Sequence, residues 1–525
     1  MNFHWRLFLT LWILFFVFTT TFWIFKNNLP PSWDEANYLG ASEILHQTLK
    51  DKGVLAFLAK TTTILGTKAP LITIIPIPLY LLFGSSPHVA MILNLFFALV
   101  FFYFFYRLVL LIFDEKTAMS SCIIVSTMIL FYGLVRYFFV EFGLMVLVVI
   151  WIYLAVKTKH LTDRKHLFFL GLVSGLGVLM KFHFILFVTG PTLIIIIESW
   201  KSQKSKIINL KNLLIFFIPA MIIALPWYSR NILTVLWKAK RSVNPQLLGS
   251  LYYGSPFSYK NIYLSALDFI NYALSGYWFL VLAILITFYV YKKRRLHINY
   301  LLSSWFFIPF IVFYFGPNKD YRLMLPLMPP IAVFLAYLIK QIFERRYAAT
   351  FFVIIFFPTL VYLNTSIFNS YLIKSKISLG PIIFADKKIG SYAQVPSVAK
   401  WPVEETLIFI ESYNTTGERR VVISASESEA FNINSLRYYA LLAKVPLEVN
   451  TISYFPNNTN YRVIEENINK GDYLIMKVGG NPGPKDLNRF NDLIIQNIDY
   501  KKWREIRNEI TLPDEGQLKI WQKIS

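Results

Sequence analysis

The sequence predicts a polytopic, all-α membrane protein of about 11 transmembrane helices, with a soluble α/β domain at its C-terminal end. Three observations predict it. Apolar runs of near-membrane length recur from Trp5 to about Asn364. The 525-residue chain is 56% hydrophobic and only 16% charged, well below the roughly 25% charged of a soluble domain. From about residue 368 the composition turns polar, and strand-like and helix-like patterns alternate.

Taken in order, the apolar runs place spans at about 7–25, 87–113, 117–133, 139–156, 166–180, 183–199, 212–229, 276–291, 299–315, 322–340 and 348–367. The first resembles a signal peptide but lacks a small-residue cleavage site and is followed by further spans, so it reads as a retained helix. The stretch "APLITIIPIPLYLLFG" (69–84) is short and carries Pro70, Pro76 and Pro78, each of which removes a helix donor. It is expected to be interfacial or re-entrant. Irregular backbone at that depth needs protein or a wet cavity around it.

The net charge of +22 does not indicate nucleic-acid binding. Its Lys and Arg residues cluster in short loops: "KTKHLTDRKH" (157–166), "KSQKSKIINLK" (201–211), "KKRR" (292–295) and the tract from Lys340 to Arg346. If 69–84 does not span, a cytoplasmic N-terminus puts all four tracts on the cytoplasmic side, as the positive-inside rule requires. Polar segments 26–86, 134–141, 230–275 and 316–322 then share the outer face, together with the C-terminal region. The expected division is 1–367 for the membrane domain, with 26–86 as its first outer loop, and 368–525 for the outer α/β domain. The protein is thus expected in the cell membrane, multi-pass, with membrane lipids around it.

In the C-terminal domain, "TLIFIES", "RRVVISAS" and "GDYLIMKVG" read as strands. "NSLRYYALLA" and "NRFNDLIIQNI" read as amphipathic helices. Neither a P-loop nor a GxGxxG following a strand occurs there. The single cysteine, Cys122, lies in an apolar run, so neither an internal disulfide nor a cysteine metal cluster can form.

The candidate chemistry lies on the outer face. "NNLPPSWDEANYLGASEILH" (27–46) sets Asp34 and Glu35 behind Pro30–Pro31, at the start of a helix. A Ser-x-Asp-Glu start is also a sound helix cap, and spacing alone does not choose between cap and catalyst. Lys68 in "TKAPL" can donate to a phosphate or snorkel at the interface. Arg136 and Glu141 lie between two spans, where ionisable groups default to function or to mutual pairing. Lys181 and His183 occupy another outer link. Tyr321 and Arg322 lead into "LMLPLMPP", and a buried Arg suits bidentate phosphate capture. Carboxylates can deprotonate or orient a hydroxyl, while cations hold an anionic leaving group. A lipid-phosphate sugar needs both.

"WDEANY", "TKAPL", "GLVSGLGVLMKF", "PWYSRN" and "DYRLMLPLMPP", in this order over residues 1–345, resemble the GT-C fold glycosyltransferases. The branch resembled is that of the protein O-mannosyltransferases and lipid A aminoarabinose transferases. The resemblance implies an inverting enzyme that moves a sugar from a polyprenyl or dolichyl phosphate to a hydroxyl or phosphate acceptor on a glycolipid, surface polysaccharide or protein. It implies Asp34 as catalytic base and Glu35 as the neighbour that orients the acceptor. Glu141 takes the second acidic position, and Lys68, Arg322 and Lys181 become donor-phosphate contacts. Tyr38, Arg136 and Tyr321 are further candidate contacts to donor or acceptor. Ala69 stands where the family motif usually has Pro. No cofactor and no metal are expected, since scattered carboxylates do not form a convincing coordination set. A transporter or flippase of lipid-linked or anionic substrates is the alternative, and it predicts paired broken helices in internal repeats.

Overall fold

The structure, a computed structural model, describes residues 2–201, 210–244, 252–292, 299–414, 417–453, 460–480 and 487–524. The basic tracts 201–211 and 292–295 fall largely outside the described residues.

The chain divides into two compact units. The first comprises Met1–Phe25, Leu55–Pro76 and His88–Pro396, and the second Lys26–Val54, Ile77–Pro87 and Ser397–Ser525. Contact thus divides the chain differently from composition. Residues 368–396 belong with the helical unit, and most of the first polar loop belongs with the α/β unit.

The helical unit opens with α1 (Asn2–Lys26); α2 (Trp33–Thr61) starts in the α/β unit and kinks at Gly53 with φ 79°. The unit boundary falls just after that kink. Pro76 separates α3 (Leu71–Ile74) from α4 (Ile77–Phe83), as a missing donor requires. Then follow α5 (Pro87–Ile112), α6 (Glu115–Ser126), α7 (Ile129–Leu134), α8 (Val140–Lys157), α9 (Arg164–Met180), α10 (Phe184–Lys201) and α11 (Leu210–Ser242). After them come α12 (Tyr259–Asp268), α13 (Gly276–Tyr291), α14 (Tyr300–Phe315), a 3₁₀ turn (Tyr321–Leu327), α15 (Met328–Ile342) and α16 (Tyr347–Ser366).

Among the described residues, seven helices are long and apolar enough to cross a membrane, or eight if the bent pair Tyr259–Leu274 and Gly276–Tyr291 is one span. The protein is a multi-pass membrane protein. The expected span 117–133 is not one helix. Ser126 and Thr127 turn their hydroxyls onto the carbonyls of Ile123 and Ile124 (2.7 and 2.8 Å), and Trp12 Nε1 donates to Ser126 Oγ at 2.8 Å. Such back-bonding competes with helix continuation, and the chain breaks between α6 and α7. The loop expected from residue 230 begins instead as helix, since α11 runs on to Ser242. At Ser275 (φ 95°) the chain bends by 101°, and Ser275 Oγ caps the next helix by accepting from Trp278 N–H.

The close packing of α9 on α11 depends on Gly171 and Gly175. A Cβ on Gly171 would lie 2.1 Å from the Phe216 carbonyl oxygen, and one on Gly175 would lie 2.8 Å from that of Ala220. Small residues four apart let two membrane helices approach where apolar burial alone gives little drive.

The α/β unit holds a five-stranded sheet. With two small hairpins labelled β1 (Ile377–Leu379), β2 (Ile382–Ala385), β3 (Lys388–Ile389) and β4 (Ala393–Gln394) in the helical unit, its strands are β5 (Arg420–Ser424), β6 (Leu447–Thr451), β7 (Tyr473–Val478), β8 (Trp503–Thr511) and β9 (Gln517–Lys523). The order is β6-β5-β7-β9-β8, with β5 parallel to β6 and β7 and the β9 pairings antiparallel. Successive strand residues face opposite cores, as a pleat requires. Val422, Val449, Tyr473 and Ile475 pack against α17 (Val403–Ser412) and α18 (Ile433–Leu442). Ile423, Leu474 and Met476 face α19 (Tyr461–Ile468) and α20 (Asn491–Asn497).

"TLIFIES" is thus helical, not a strand. Val403, Thr406, Leu407 and Ile410 form one buried stripe, and Glu404 and Glu405 occupy a first turn where the helix dipole favours them. The other two strands and both helices expected here are present.

Candidate active site

The acidic pair belongs to the α/β unit. Asn28 N–H donates to Ser397 O at 2.6 Å, and Ser397 N–H donates back to Asn27 Oδ1 at 2.9 Å. After Pro30–Pro31 the helix begins at Trp33, whose φ of 34° lies in the left-handed region. Such a conformation in a bulky residue costs on the order of 1–3 kcal/mol and persists only where neighbours impose it. The backbone N–H groups of Glu35 and Ala36 return to Ser32 O at 2.9 and 3.3 Å. Asp34 and Glu35 both stand in the first turn, so Asp34 is one residue inside the helix rather than its cap.

The pair is not equivalent. Asp34 is half-buried, whereas Glu35 is only 2% exposed. Glu35 lies in the electrostatic neighbourhood of Tyr438 and Tyr439 on α18. Burial, then neighbouring phenols and acidic groups, push the Tyr438 hydroxyl well above its ordinary value, and burial pushes Tyr439 up to about 12. Both phenols therefore stay protonated. Tyr38 is buried in the same helix, so its ring packs rather than faces solvent. Farther along, buried Glu43 accepts from Gln47 Nε2 at 2.8 Å.

Lys68 lies in the helical unit. Its turn has two left-handed residues, Leu65 and Gly66. The turn is tied to α11, where Arg230 Nη1 donates to Thr62 Oγ1 at 2.6 Å and Asn231 Nδ2 to Thr62 O at 2.8 Å. Ala69 is buried with Leu179, Trp227 and Val235, and Tyr228 Oη donates to Val178 O at 2.8 Å. Three of the motifs read in the sequence, "TKAPL", "GLVSGLGVLMKF" and "PWYSRN", thus meet at one place and seat the lysine turn.

A second group in that unit joins Glu141, Lys181 and Arg322. Glu141 opens α8 and is buried; Lys181 caps the end of α9, and Arg322 lies in the 3₁₀ turn. Lys181 Nζ stands 2.7 Å and Arg322 Nε 3.6 Å from Glu141 Oε1. Asp320 accepts from the Arg322 N–H and holds Nε at 2.6 Å. The guanidinium also covers the Phe139 ring, 4.8 Å from its centre. Two carboxylates thus balance two cations. Among the described residues Glu141 Oε2 is buried with no hydrogen-bond partner. Sequence reading missed Asp320 and Tyr392, although Asp320 stands in the quoted "DYR". Tyr392 packs on Phe139 and Tyr321, and Arg322, Asp320 and Glu141 all act on its hydroxyl. Burial, the largest influence, pushes that hydroxyl well above its ordinary value.

Among the described residues Arg136 does not pair with Glu141. It is 0% exposed, with its guanidinium 5.1–5.6 Å from the ring centres of Trp23, Tyr132 and Tyr362 and bonded to Ser366 Oγ. An arginine enclosed by π faces pins helices together, and among the described residues its Nε and Nη1 have no hydrogen-bond partner. Tyr321 is likewise a pin, its hydroxyl accepting from Ser391 N–H. Among the described residues no three His, Cys, Asp or Glu side chains converge as a metal set would.

Residues 67–227 match the family model described as dolichyl-phosphate-mannose-protein mannosyltransferase. The fold is that of ArnT from Cupriavidus metallidurans. In its crystal structure bound to undecaprenyl phosphate, 98% of each chain is covered at a TM-score of 0.59 and 11% identity. Its apo structure gives the same coverage at 0.57 and 11%. The chain is a membrane glycosyltransferase of the GT-C fold. No curated protein sequence matches it significantly. The matched stretch of this glycosyltransferase contains Lys68, Glu141 and Lys181, while the acidic pair and Arg322 lie outside it.

Proposed function

We propose that the enzyme transfers a sugar, with inversion, from a polyprenyl-phosphate carrier to a hydroxyl or phosphate acceptor on a glycolipid, surface polysaccharide or protein. The reaction takes place at the extracytoplasmic face, with the N-terminus cytoplasmic. The observation that carries this reading is the environment of Asp34: a half-buried carboxylate in the first turn of a helix, beside a buried neighbour, on a backbone held in an unusual turn. The fold shared with a protein crystallised with undecaprenyl phosphate supports the class of donor.

In this mechanism Asp34 accepts the proton of the acceptor hydroxyl as its oxygen attacks the anomeric carbon. The bond from that carbon to the carrier phosphate breaks, and its electron pair leaves with the phosphate. Lys68 and Arg322 meet the charge that develops there. Glu141 and Asp320 hold Arg322 in place, with Lys181 paired to the same Glu141 oxygen, and Glu141 Oε2 is an acceptor for a hydroxyl of the transferred sugar. Glu35, being buried, keeps the first turn of the helix in register.

A strain lacking the gene tests the proposal by mass spectrometry of its glycolipids, polysaccharides and glycoproteins. One sugar should disappear, return with the wild-type gene, and stay absent with Asp34→Asn. An unchanged glycan inventory would refute transfer from a lipid carrier.

A further inference from the structure

The strand order of the α/β unit reverses at β5, which lies between parallel β6 and β7. In open α/β sheets the crevice beyond the C-terminal ends of the strands at such a reversal is where ligands are held. Here the segment leaving β5 carries Ser426, Glu427, Ser428 and Asn432, all buried, and it engages the chain's own Pro31–Trp33. Trp33 Nε1 donates to Glu427 Oε2 at 3.0 Å. Asn434 Nδ2 donates to Trp33 O at 3.0 Å, and Ser435 Oγ donates to Pro31 O at 2.6 Å. Asn434 and Ser435 are fixed in turn by Asn432, whose Oδ1 accepts from both of their N–H groups at 3.1 Å.

Three hydrogen bonds therefore converge on Pro31 and Trp33, and Trp33 carries a left-handed φ. A tryptophan does not rest in that conformation unless its surroundings impose it. Glu427 is a fully buried carboxyl group, and a buried polar group that loses its partner carries its full desolvation cost. The residue that follows the clamped turn is Asp34.

We propose that the α/β unit is a positioning device for the acidic pair, in which Glu427, Asn434 and Ser435 hold Pro31–Trp33 in the turn that aims Asp34. This rests on the reading of Asp34 as the base. Glu427 is a positioning residue, acting through Trp33, and the unit's sheet has taken a segment of its own chain where related sheets take a ligand.

Three measurements on the full-length protein test it: glycan restored to the deletion strain, binding of undecaprenyl phosphate to purified protein, and hydrogen exchange of residues 31–36. A small misplacement of a reacting group can cost about 100-fold. Glu427→Ala and Trp33→Phe should therefore lower the restored glycan by about tenfold or more, with undecaprenyl phosphate affinity within about twofold of wild type. Exchange in residues 31–36 should rise while that of the sheet holds. Glu427→Gln keeps an oxygen for the indole and should recover most of the glycan. Asn434→Ala, a milder loss, should fall between. Full glycan with Glu427→Ala, or loss only in proportion to folded protein, overturns the clamp. If the deletion strain loses no glycan, the proposed function fails instead, and exchange alone then decides: unchanged exchange at 31–36 in Glu427→Ala refutes the clamp.

Discussion

Glu141 and Asp34 each stand in the first turn of a helix, yet they are held by different means. Glu141 is buried, with Lys181 and Arg322 both drawn to the same carboxylate oxygen. Asp34 is half-buried, and Pro31 and Trp33 before it are fixed through two carbonyls and an indole. A carboxylate committed to two cations is a poor proton acceptor, because protonation would take from Lys181 its carboxylate partner and leave Arg322 to Asp320 alone. A carboxylate aimed by its backbone, beside solvent, can exchange a proton. The difference supports the proposed division, with Glu141 organising cations and Asp34 in the chemistry.

The largest effect should come from Asp34→Asn. Removing a general base costs roughly 10²–10⁴ in rate, so glycan restoration should vanish while the protein folds and binds undecaprenyl phosphate as before. Activity retained by Asp34→Asn together with activity lost in Glu141→Gln would reverse the assignment.

Glu141→Ala should act on stability. Removing one member of a buried charge cluster costs about 3–5 kcal/mol, because the remaining charges stay desolvated. Thermal unfolding in detergent should show a clear drop for Glu141→Ala, a smaller one for Glu141→Gln and little for Asp34→Asn. Equal midpoints for all three would mean that the cluster does not organise this part of the membrane unit. A step smaller again is expected from Lys68→Ala and Arg322→Ala. Each removes a charge-assisted contact worth about 1.5–3 kcal/mol, and should weaken undecaprenyl phosphate binding about tenfold or more. Unchanged binding would leave the phosphate without either cation.

What could be read in the sequence follows the same division. Glu141, Lys181 and Arg322 were legible because charge is rare near membrane spans, so each one stands out and must find a partner. Their convergence was not legible, since it depends on where α8, α9 and the 3₁₀ turn meet. Asp34 stood out beside Pro30–Pro31, and its helix was foreseen through "DEANYLGASEILHQTL". Glu427 could not be found: in "SASESEAFN" it looks like a solvated loop residue, and only the fold brings it to Trp33. The surroundings of Arg136 were hidden for a related reason. Its charge is visible in sequence, whereas the three aromatic rings that enclose it come from residues 23, 132 and 362. "TLIFIES" was misread because four consecutive apolar residues fit a strand as well as a helix; the buried stripe became visible only when Val403 was counted with them.

The smallest effect is expected at His183, between the two readings of the cation cluster. Its ring lies against Phe182 and Phe313. Burial first, then the charge of Lys181, lowers its pKa to about 3, with Glu141 acting in the opposite sense. The folded value lies below the ordinary one of about 6.5, so folding favours the neutral ring. Between those two values the unfolded chain binds more protons than the folded one, and stability must fall as pH drops through that window and hold level above it. His183→Gln should therefore flatten the acid loss of stability. It should leave the pH profile of sugar transfer between about 5 and 8 unchanged, because the folded enzyme keeps His183 neutral throughout. An acid limb that survives in His183→Gln belongs to a carboxylate, and its loss in Asp34→Asn would be hidden by inactivity. The Glu427→Ala variant, which should retain some turnover, is where that limb can be followed. A limb that moves with His183→Gln instead would place a titrating imidazole beside Glu141 and end the contrast between the two regions.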